Sequence, residues 1–159
     1  LAIKIVELLI KKGVPVSLCM VGPEVGGLLE ECKREVEKKN LPITFTGKLS
    51  KEKWIDLSKQ YDIFINTTNF DNTPVSVIEG MALGLPVIST NVGGIPFLIE
   101  NNATGILVEP KDEHLFVEKI LHLINHPLAS ENLSVNARKL VETFDWQKVK
   151  TKWDVILSE

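Results

Sequence analysis

The sequence predicts an α/β protein with a parallel β-sheet covered by helices on both faces. Short runs of apolar, often β-branched residues alternate with segments of helical periodicity along the chain. Most of these runs are almost continuously apolar, as strands buried on both faces are. Glycine or a polar cluster follows most of them, at Gly22, at Gly47, over 67–73 and over 91–94. In open sheets of this kind, ligands bind beyond the carboxyl ends of the strands.

The first elements follow in order from the amino terminus. An amphipathic helix is predicted over residues 1–12 and ends at Gly13, and the run VPVSLCMVG after it is predicted to be a strand that ends at Gly22. A second helix is predicted over 24–39. Its apolar residues recur with helical spacing: Val25, Leu28, Leu29, Cys32 and Val36. The run PITFTG is predicted to form a second strand, which ends at Gly47.

The later elements continue the alternation. Ser50 is predicted to cap a helix over 51–60, YDIFINTT to be a third strand, and the apolar segment 74–83 to be the next helix. LPVIST is predicted to be the fourth strand, GGIPFLI a short helical turn and TGILVEP the fifth strand. Asp112 is predicted to cap a helix that ends near Asn125, and two more helices complete the chain.

The bulk composition is that of one ordinary globular domain. The 159 residues carry a net charge of −3, with 44% hydrophobic and 25% charged residues, and no basic excess favours nucleic acid as a partner. No apolar run reaches the roughly 18 residues of a membrane span, and no signal-peptide pattern is found. Cys19 and Cys32 are predicted to be free thiols, which indicates a reducing, cytoplasmic compartment. Because the chain begins inside a helix with no preceding strand, we expect it to be part of a longer protein.

The predicted helix over 74–83 carries one acidic residue in an otherwise largely apolar segment. Glu79 has Val75 and Leu83 at i−4 and i+4, and no Lys or Arg lies at helical spacing from it. A carboxylate buried in such a helix costs several kcal/mol, whereas one that faces a water-filled cleft does not. Two interpretations remain: a solvated residue at the edge of the helix, or a residue of a ligand site.

The start of this helix has the features of an anion site. Thr73 suits the N-cap position and Pro74 the first helical position. The backbone N–H groups of Val75 and Ser76 then have no partner within the helix. Such amides, at the positive end of the helix dipole, bind phosphate groups.

Two carboxylates beside a phosphate site indicate a ligand that also carries hydroxyl groups. Glu79 leans back toward the helix start, and Asp71 enters the same region from the loop. A sugar nucleotide meets both needs, with its diphosphate at the amides, its ribose hydroxyls at Glu79 and the hydroxyls of its sugar at Asp71. The alternative interpretation of Asp71, together with Asn72, is plain turn chemistry.

The stretch DNTPVSVIEGMALGLPVISTNVGGIPFLIENNATGILVEPKD resembles the donor-binding core of the retaining GT-B glycosyltransferases in the glycosyl transferases group 1 family. Weaker similarity extends through LCMVGPE, ITFTGKLS and YDIFINTT to FDW near the carboxyl terminus. The resemblance implies a Rossmann-like domain that occupies residues 1–159, forms the C-terminal half of a GT-B fold and lacks its first strand. The acceptor domain would lie outside this chain.

The resemblance also implies roles for single residues. Glu79 is in register with the family glutamate that holds the ribose. Asp71, one methylene shorter, stands where the family usually has the glutamate near the donor sugar, and it is the residue to which we assign a catalytic role. Gly80 stands where the family usually has alanine. The other implied donor-binding residues are Thr73, Pro74, Val75, Ser76, Gly22, Gly47, Lys48 and Leu49.

The implied reaction is transfer of a hexosyl-type sugar from a nucleoside diphosphate sugar to an acceptor, with retention, in glycan or polysaccharide biosynthesis. No cofactor and no metal are implied, and His122 and His126 are interpreted as a solvated pair. The expected partners are the nucleoside diphosphate sugar, a sugar or lipid-linked sugar acceptor, and an acceptor domain of the same protein that could contact a membrane surface. This chain alone is expected to be inactive. The alternatives are a nucleotide-sugar epimerase of GT-B architecture and a non-catalytic nucleotide-sugar-binding module.

Overall fold

The computed structural model describes residues 1–24 and 26–158. Helices and parallel strands alternate along this part of the chain, and the chain divides into two compact units. The first unit contains Leu1–Gln60 together with Lys111–Glu118, and the second contains Tyr61–Pro110 and the chain from Lys119 onward. Each unit has strands and helices of its own.

The first unit pairs two parallel strands with amphipathic helices. Its elements are α1 (Ala2–Lys11), β1 (Leu18–Val21), α2 (Leu29–Lys38), β2 (Ile43–Gly47) and α3 (Lys51–Ser58). Leu18 of β1 lies beside Ile43 of β2 in the parallel register. A buried cluster from α1, α2 and β2 forms the core of this unit: Ile3, Val6, Val36 and Ile43. The predicted cap of α3 is confirmed, because the Ser50 hydroxyl accepts a hydrogen bond from the Lys53 amide at 3.4 Å.

The second helix begins later than its apolar spacing predicted. The prediction placed its start at Glu24, whereas α2 begins at Leu29. Gly26 and Gly27 have φ angles of +83° and +74°, which lie in the left-handed region that a right-handed helix cannot include. The predicted first apolar position, Val25, lies outside the described residues.

The second unit holds the remaining elements. They are β3 (Phe64–Asn66), α4 (Val75–Ala82), β4 (Val87–Thr90), α5 (Ile95–Leu98), β5 (Ile106–Val108), α6 (Glu113–Asn125), α7 (Pro127–Val141), a 3-10 turn (Glu142–Phe144) and α8 (Trp146–Leu157). The first residues of α6 are grouped with the first unit. The predicted cap of α6 is confirmed, because the Asp112 carboxylate accepts from the Leu115 amide at 2.8 Å.

The strands of the second unit form a parallel sheet in the order β3-β4-β5. All four residues of the central strand β4 are buried, which explains its nearly continuous apolar run. Buried side chains of α4, β4, α5 and α7, together with the residue that follows α5, pack into one core: Val77, Met81, Val87, Ile95, Ile99, Ala137 and Val141. The predicted α/β class, with parallel strands flanked by helices, is thus confirmed.

Helix α4 buries only one face, although its sequence is apolar on nearly all sides. Val77, Gly80 and Met81 are buried, whereas the Val75 side chain is 59% exposed. The other face of α4 is therefore open at the start of the helix. Within the described residues, no helix is long and apolar enough to cross a membrane.

Candidate functional site

Polar side chains join the carboxyl ends of β3 and β4. The Asn66 amide donates to the Ser89 hydroxyl at 3.2 Å, and the Thr90 hydroxyl donates to the Thr68 carbonyl at 2.7 Å. The Thr68 N–H donates in turn to the Asn66 side-chain oxygen at 3.3 Å. Ser89 and Thr90 are fully buried, so these bonds satisfy polar groups that water cannot reach. They fix the path of the chain as it leaves β3.

Asp71 shapes the loop that follows. Its carboxylate accepts a hydrogen bond from the Thr73 N–H at 3.1 Å, and its carbonyl accepts one from the Gly94 N–H at 2.8 Å. The first bond is the turn chemistry that the sequence left open for Asp71. A carboxylate has about four acceptor positions, so the half-buried Asp71 can still accept from a ligand hydroxyl.

Two glycines after β4 make the close approach of this loop possible. A Cβ atom on Gly93 would lie 2.1 Å from the Asp71 carbonyl oxygen, and one on Gly94 would lie 1.8 Å from the Asn72 carbonyl oxygen. No side chain fits at either position unless the loop moves. The sequence placed the segment 91–94 at a strand end but assigned it no contact, and only the tertiary approach shows what its glycines do.

The start of α4 differs from the prediction by one residue. Pro74 is the N-cap, with φ −74° and ψ 82°, and Val75 is the first helical residue, so Thr73 is not the cap. The Val75 N–H donates to the Thr73 carbonyl at 2.8 Å, and the N–H groups of Val77 and Ile78 donate to the Pro74 carbonyl. The prediction that the Val75 amide is free is therefore wrong. The turn formed before Pro74 takes up this amide.

Ser76 is the remaining candidate for the predicted anion contact. Its side chain is exposed, and its N–H has no acceptor within the described part of the chain. As the second residue of an eight-residue helix, it lies where the positive end of the helix dipole acts. The Ser76 N–H and hydroxyl can both donate to a phosphate oxygen.

Glu79 lies at the open edge of α4. Its side chain is half-buried, and the exposed residues Val75 and Ser76 lie one turn earlier on the same face. The next residue, Gly80, faces the core, where an added Cβ would lie 2.9 Å from the Phe64 ring. The carboxylate thus sits between the buried face and the open face, and the open face leads back to the helix start.

The predicted residues of the first unit come together at the carboxyl ends of β1 and β2. The Gly22 N–H donates to the Gly47 carbonyl at 3.0 Å, and the Thr46 hydroxyl donates to the same carbonyl at 3.0 Å. Gly47 has φ +67°, which lets the chain turn directly after the strand. Lys48 is exposed and Leu49 half-buried beyond this turn.

His122 of α6 and His126, the N-cap residue of α7, are in direct contact. The rings of His122 and His126 stack with centroids 4.3 Å apart, and His126 Nδ1 bonds to the His122 carbonyl at 2.8 Å. Within the described residues, no group of three or more His, Cys, Asp or Glu side chains is arranged to hold a metal ion.

In this parallel α/β unit, hydrogen-bonded polar loops lie at the strand ends, beside the start of a helix and a half-buried carboxylate. The carboxyl ends of parallel strands are where domains of this class bind ligands. Comparison with known protein families identifies the family. The model of the glycosyl transferases group 1 family matches residues 1–140. The chain belongs to that family, as the resemblance of its sequence predicted.

Individual relatives agree with this assignment. The sulfoquinovosyl transferase SQD2 of Arabidopsis thaliana is 32% identical over 128 residues, which cover 76% of this chain and 24% of that protein. The capsular polysaccharide biosynthesis glycosyltransferase CapM of Staphylococcus aureus is 28% identical over 159 residues, which cover 96% of this chain and 41% of that protein. Among solved structures, HepE of Anabaena in complex with UDP and glucose matches with a TM-score of 0.84 at 21% identity.

The coverage of these matches is unequal on the two sides. The HepE match covers 98% of this chain and 44% of that chain. This chain therefore spans less than half the length of each of the three proteins. The structural match confirms the fold.

Proposed function

We propose that this chain is the donor-binding domain of a retaining glycosyltransferase that transfers a sugar from a nucleoside diphosphate sugar in glycan or polysaccharide biosynthesis. The observation that carries the proposal is the Asp71–Thr73 turn, held against Gly94 next to the open face of α4 that bears Ser76 and Glu79. Family membership over residues 1–140 supports the transferase activity. The complex of HepE with UDP and glucose supports a uridine diphosphate sugar as the first donor to test.

The second unit supplies side chains and amides that match the different parts of a sugar nucleotide. Ser76 donates from its N–H and hydroxyl to the diphosphate, and Glu79 accepts from the ribose hydroxyls on the same face of α4. Asp71 accepts from hydroxyls of the transferred sugar, which places it nearest the reacting carbon and gives it the catalytic role. Thr73, Pro74 and Val75 shape the backbone between these groups.

The first unit supplies residues that the family resemblance assigns to the nucleotide. These are Gly22 and the turn formed by Gly47, Lys48 and Leu49. The contact between Gly22 and Gly47 shows that this turn is built before any ligand binds. Lys48, exposed after the turn, is a cation available for the nucleotide phosphates.

The rest of the reaction belongs to the longer proteins that this family contains. A glycosyl transfer requires the acceptor to be positioned against the donor sugar, and positioning of that kind supplies much of the rate enhancement. We propose that an acceptor domain of the same polypeptide provides it, so that residues 1–159 alone bind the donor without transferring it. A cytoplasmic location, with membrane contact through the acceptor domain, belongs to the same proposal.

The test is the affinity for UDP and GDP, measured by calorimetry on the chain and on its Glu79→Gln variant. Loss of hydrogen bonds to a charged acceptor is expected to weaken binding by ~1.5–3 kcal/mol. The matched control is Glu131→Gln, which removes an exposed carboxylate from α7 of the same unit. Unchanged affinity in Glu79→Gln, with the fold intact by circular dichroism, would contradict the ribose contact.

Product analysis with the full-length protein separates the alternatives. A glycosyltransferase consumes the nucleoside diphosphate sugar only when an acceptor is present and forms a new glycosidic bond. An epimerase changes the sugar without any acceptor, and a binding module changes nothing. Formation of an inverted linkage would refute the retaining mechanism while leaving the donor-binding domain in place.

A further inference from the structure

A cleft of about 240 Å³ lies in the second unit, at the amino ends of its strands and away from the loops that follow β3 and β4. Asn102 contributes to its wall from the turn that precedes β5, whereas Asp71 follows β3. Because β3, β4 and β5 run parallel, the start of β5 lies at the amino ends of the strands, whereas the end of β3 lies at their carboxyl ends. The cleft is therefore separate from the proposed donor groups of this unit.

One wall of the cleft is a tightly bonded turn. The Asn102 N–H donates to the Gly105 carbonyl at 2.7 Å, and the Glu100 N–H donates to the Thr104 hydroxyl at 3.0 Å. Asn102 has φ +63°, a conformation that asparagine tolerates better than most residues. This wall is formed in advance, so a ligand need not order it.

Helix α7 forms the other wall with one face. Asn132, Leu133 and Asn136 line the cleft and follow the spacing of a single helix face. The Asn136 amide donates to the Ala103 carbonyl at 3.3 Å, which ties the helix to the turn. The side chain of Asn132 is exposed and able to turn toward a ligand.

The cleft combines an apolar floor with a rim of neutral amides. Ile106 and Leu133 are 2% and 7% exposed, and the amides of Asn102, Asn132 and Asn136 surround them. His122 completes the rim, and none of the described lining residues carries a carboxylate, ammonium or guanidinium group. Each amide offers both a donor and an acceptor, so each can bond to a hydroxyl in either direction.

From this chemistry we propose that the cleft binds a pyranose unit of a neutral saccharide. A sugar ring presents an apolar face of C–H groups and a rim of hydroxyls, which matches an apolar floor within amides. No Lys or Arg is among the described lining residues, which argues against phosphate or a nucleotide as the ligand. The volume is below the roughly 300–1,000 Å³ of pockets that enclose drug-sized ligands, which fits one sugar ring and not a nucleotide sugar.

The site would hold a sugar residue of a glycan at the amino ends of the strands, away from the loops proposed to bind the donor. It is distinct from the proposed donor groups, and its binding does not require the transferase activity. In a protein that extends a polysaccharide, such a site would hold the growing polysaccharide between successive sugar additions and so raise its local concentration near the enzyme.

The test is an NMR titration of the ¹⁵N-labelled chain with three neutral probes, methyl α-glucoside, methyl α-galactoside and methyl N-acetylglucosaminide. We expect saturable shifts at the side-chain amides of Asn102, Asn132 and Asn136 and at the backbone of Ala103. Asn132→Ala should weaken binding about 3- to 10-fold, the loss expected for one neutral hydrogen bond. Alanine favours the helix at this exposed position, so the variant should fold.

The matched control is Asn125→Ala, which removes the same amide from an exposed position that does not line the cleft. Equal affinity in Asn132→Ala and in the unchanged chain would overturn the proposal, as would the lack of any saturable shift at these residues. Shifts confined to residues 71–79 would place the sugar at the donor groups and would also overturn it. UDP, titrated separately, should shift residues 71–79 and the nucleotide-binding residues proposed for the first unit, and it should leave the cleft residues unshifted. A failure of UDP binding therefore counts against the donor proposal and not against this cleft.

Discussion

Replacing Gly94 by alanine should move the loop that carries Asp71. Gly94 has φ −85° and ψ −8°, a conformation that alanine adopts freely, so the backbone of the variant is unstrained. Its Cβ, however, would meet the Asn72 carbonyl oxygen at 1.8 Å, whereas real Cβ atoms essentially never approach closer than 3.0 Å. The two segments must therefore separate by more than about 1 Å.

This separation acts on a bond that positions Asp71. The Gly94 N–H donates to the Asp71 carbonyl at 2.8 Å, and an added distance of about 1 Å takes the pair beyond hydrogen-bonding range. Overpacking of this kind costs about 1–3 kcal/mol of folding stability, to which the lost bond adds about 1 kcal/mol. We expect a lower urea midpoint with an unchanged slope, and binding of a UDP sugar weakened more strongly than binding of UDP alone.

Gly80→Ala is the matched control for the added methyl group. Its Cβ would meet the Phe64 ring at 2.9 Å, and this ring belongs to a side chain that can shift. Because alanine is also the better helix former by about 0.8–1.0 kcal/mol, the two effects should nearly cancel. If Gly94→Ala matched Gly80→Ala in both the urea midpoint and UDP-sugar affinity, the reasoning about the loop would be refuted.

Two further predictions follow from the structure. In the full-length enzyme, Asp71→Asn should retain the bond to the Thr73 N–H and nearly the full affinity for UDP, while the turnover number falls, because an amide oxygen replaces the charged acceptor of the sugar; equal losses for UDP and UDP-glucose in calorimetry would move Asp71 to the nucleotide side. The second concerns Glu7, whose pKa is lowered to about 2 by hydrogen bonds from Lys11 at 2.6 Å and Lys39 at 2.9 Å. Because the pKa of Glu7 is lower in the folded state than in the unfolded chain, its ionised carboxylate stabilises the fold. This stabilisation is fully present above the unfolded pKa near 4.5 and is lost as the pH falls through the folded pKa of about 2. Glu7→Gln should therefore lower Tm at pH 7, by a margin that shrinks as the pH falls from about 4.5 toward 2, and a margin independent of pH would contradict this role.

Local signals in the sequence predicted the alternation of elements because the information lies within a few residues. Ser50 and Asp112 cap their helices as predicted, since an N-cap side chain needs only the amide two or three residues later. The start of α2 was misplaced because the apolar spacing before Leu29 outweighed the neighbouring Gly26 and Gly27. The left-handed conformation of these glycines is compatible with their sequence but is not dictated by it.

The candidate site was predicted by residue and not by geometry. Glu79 was recognised because a carboxylate stands out on an apolar helix, and the structure places it at the open edge of α4. The prediction of a free amide at Val75 was wrong, because the turn that begins at Asp71 orients the Thr73 carbonyl toward the Val75 N–H. Gly93 and Gly94 were missed as contacts because the segment they touch lies more than twenty residues earlier in the chain.

The turn also accounts for an aspartate at a position where the family resemblance leads one to expect glutamate. A carboxylate that accepts from the amide two residues later must be one methylene from its Cα, the geometry of aspartate and asparagine turns. Asp71 meets this condition with Thr73, and the turn brings the chain to Pro74, where α4 begins. A glutamate would carry its carboxylate past the Thr73 amide and leave the turn without this bond. On the proposed function, the shorter side chain therefore keeps the charged group close to the loop, and the donor sugar must approach the loop to reach it.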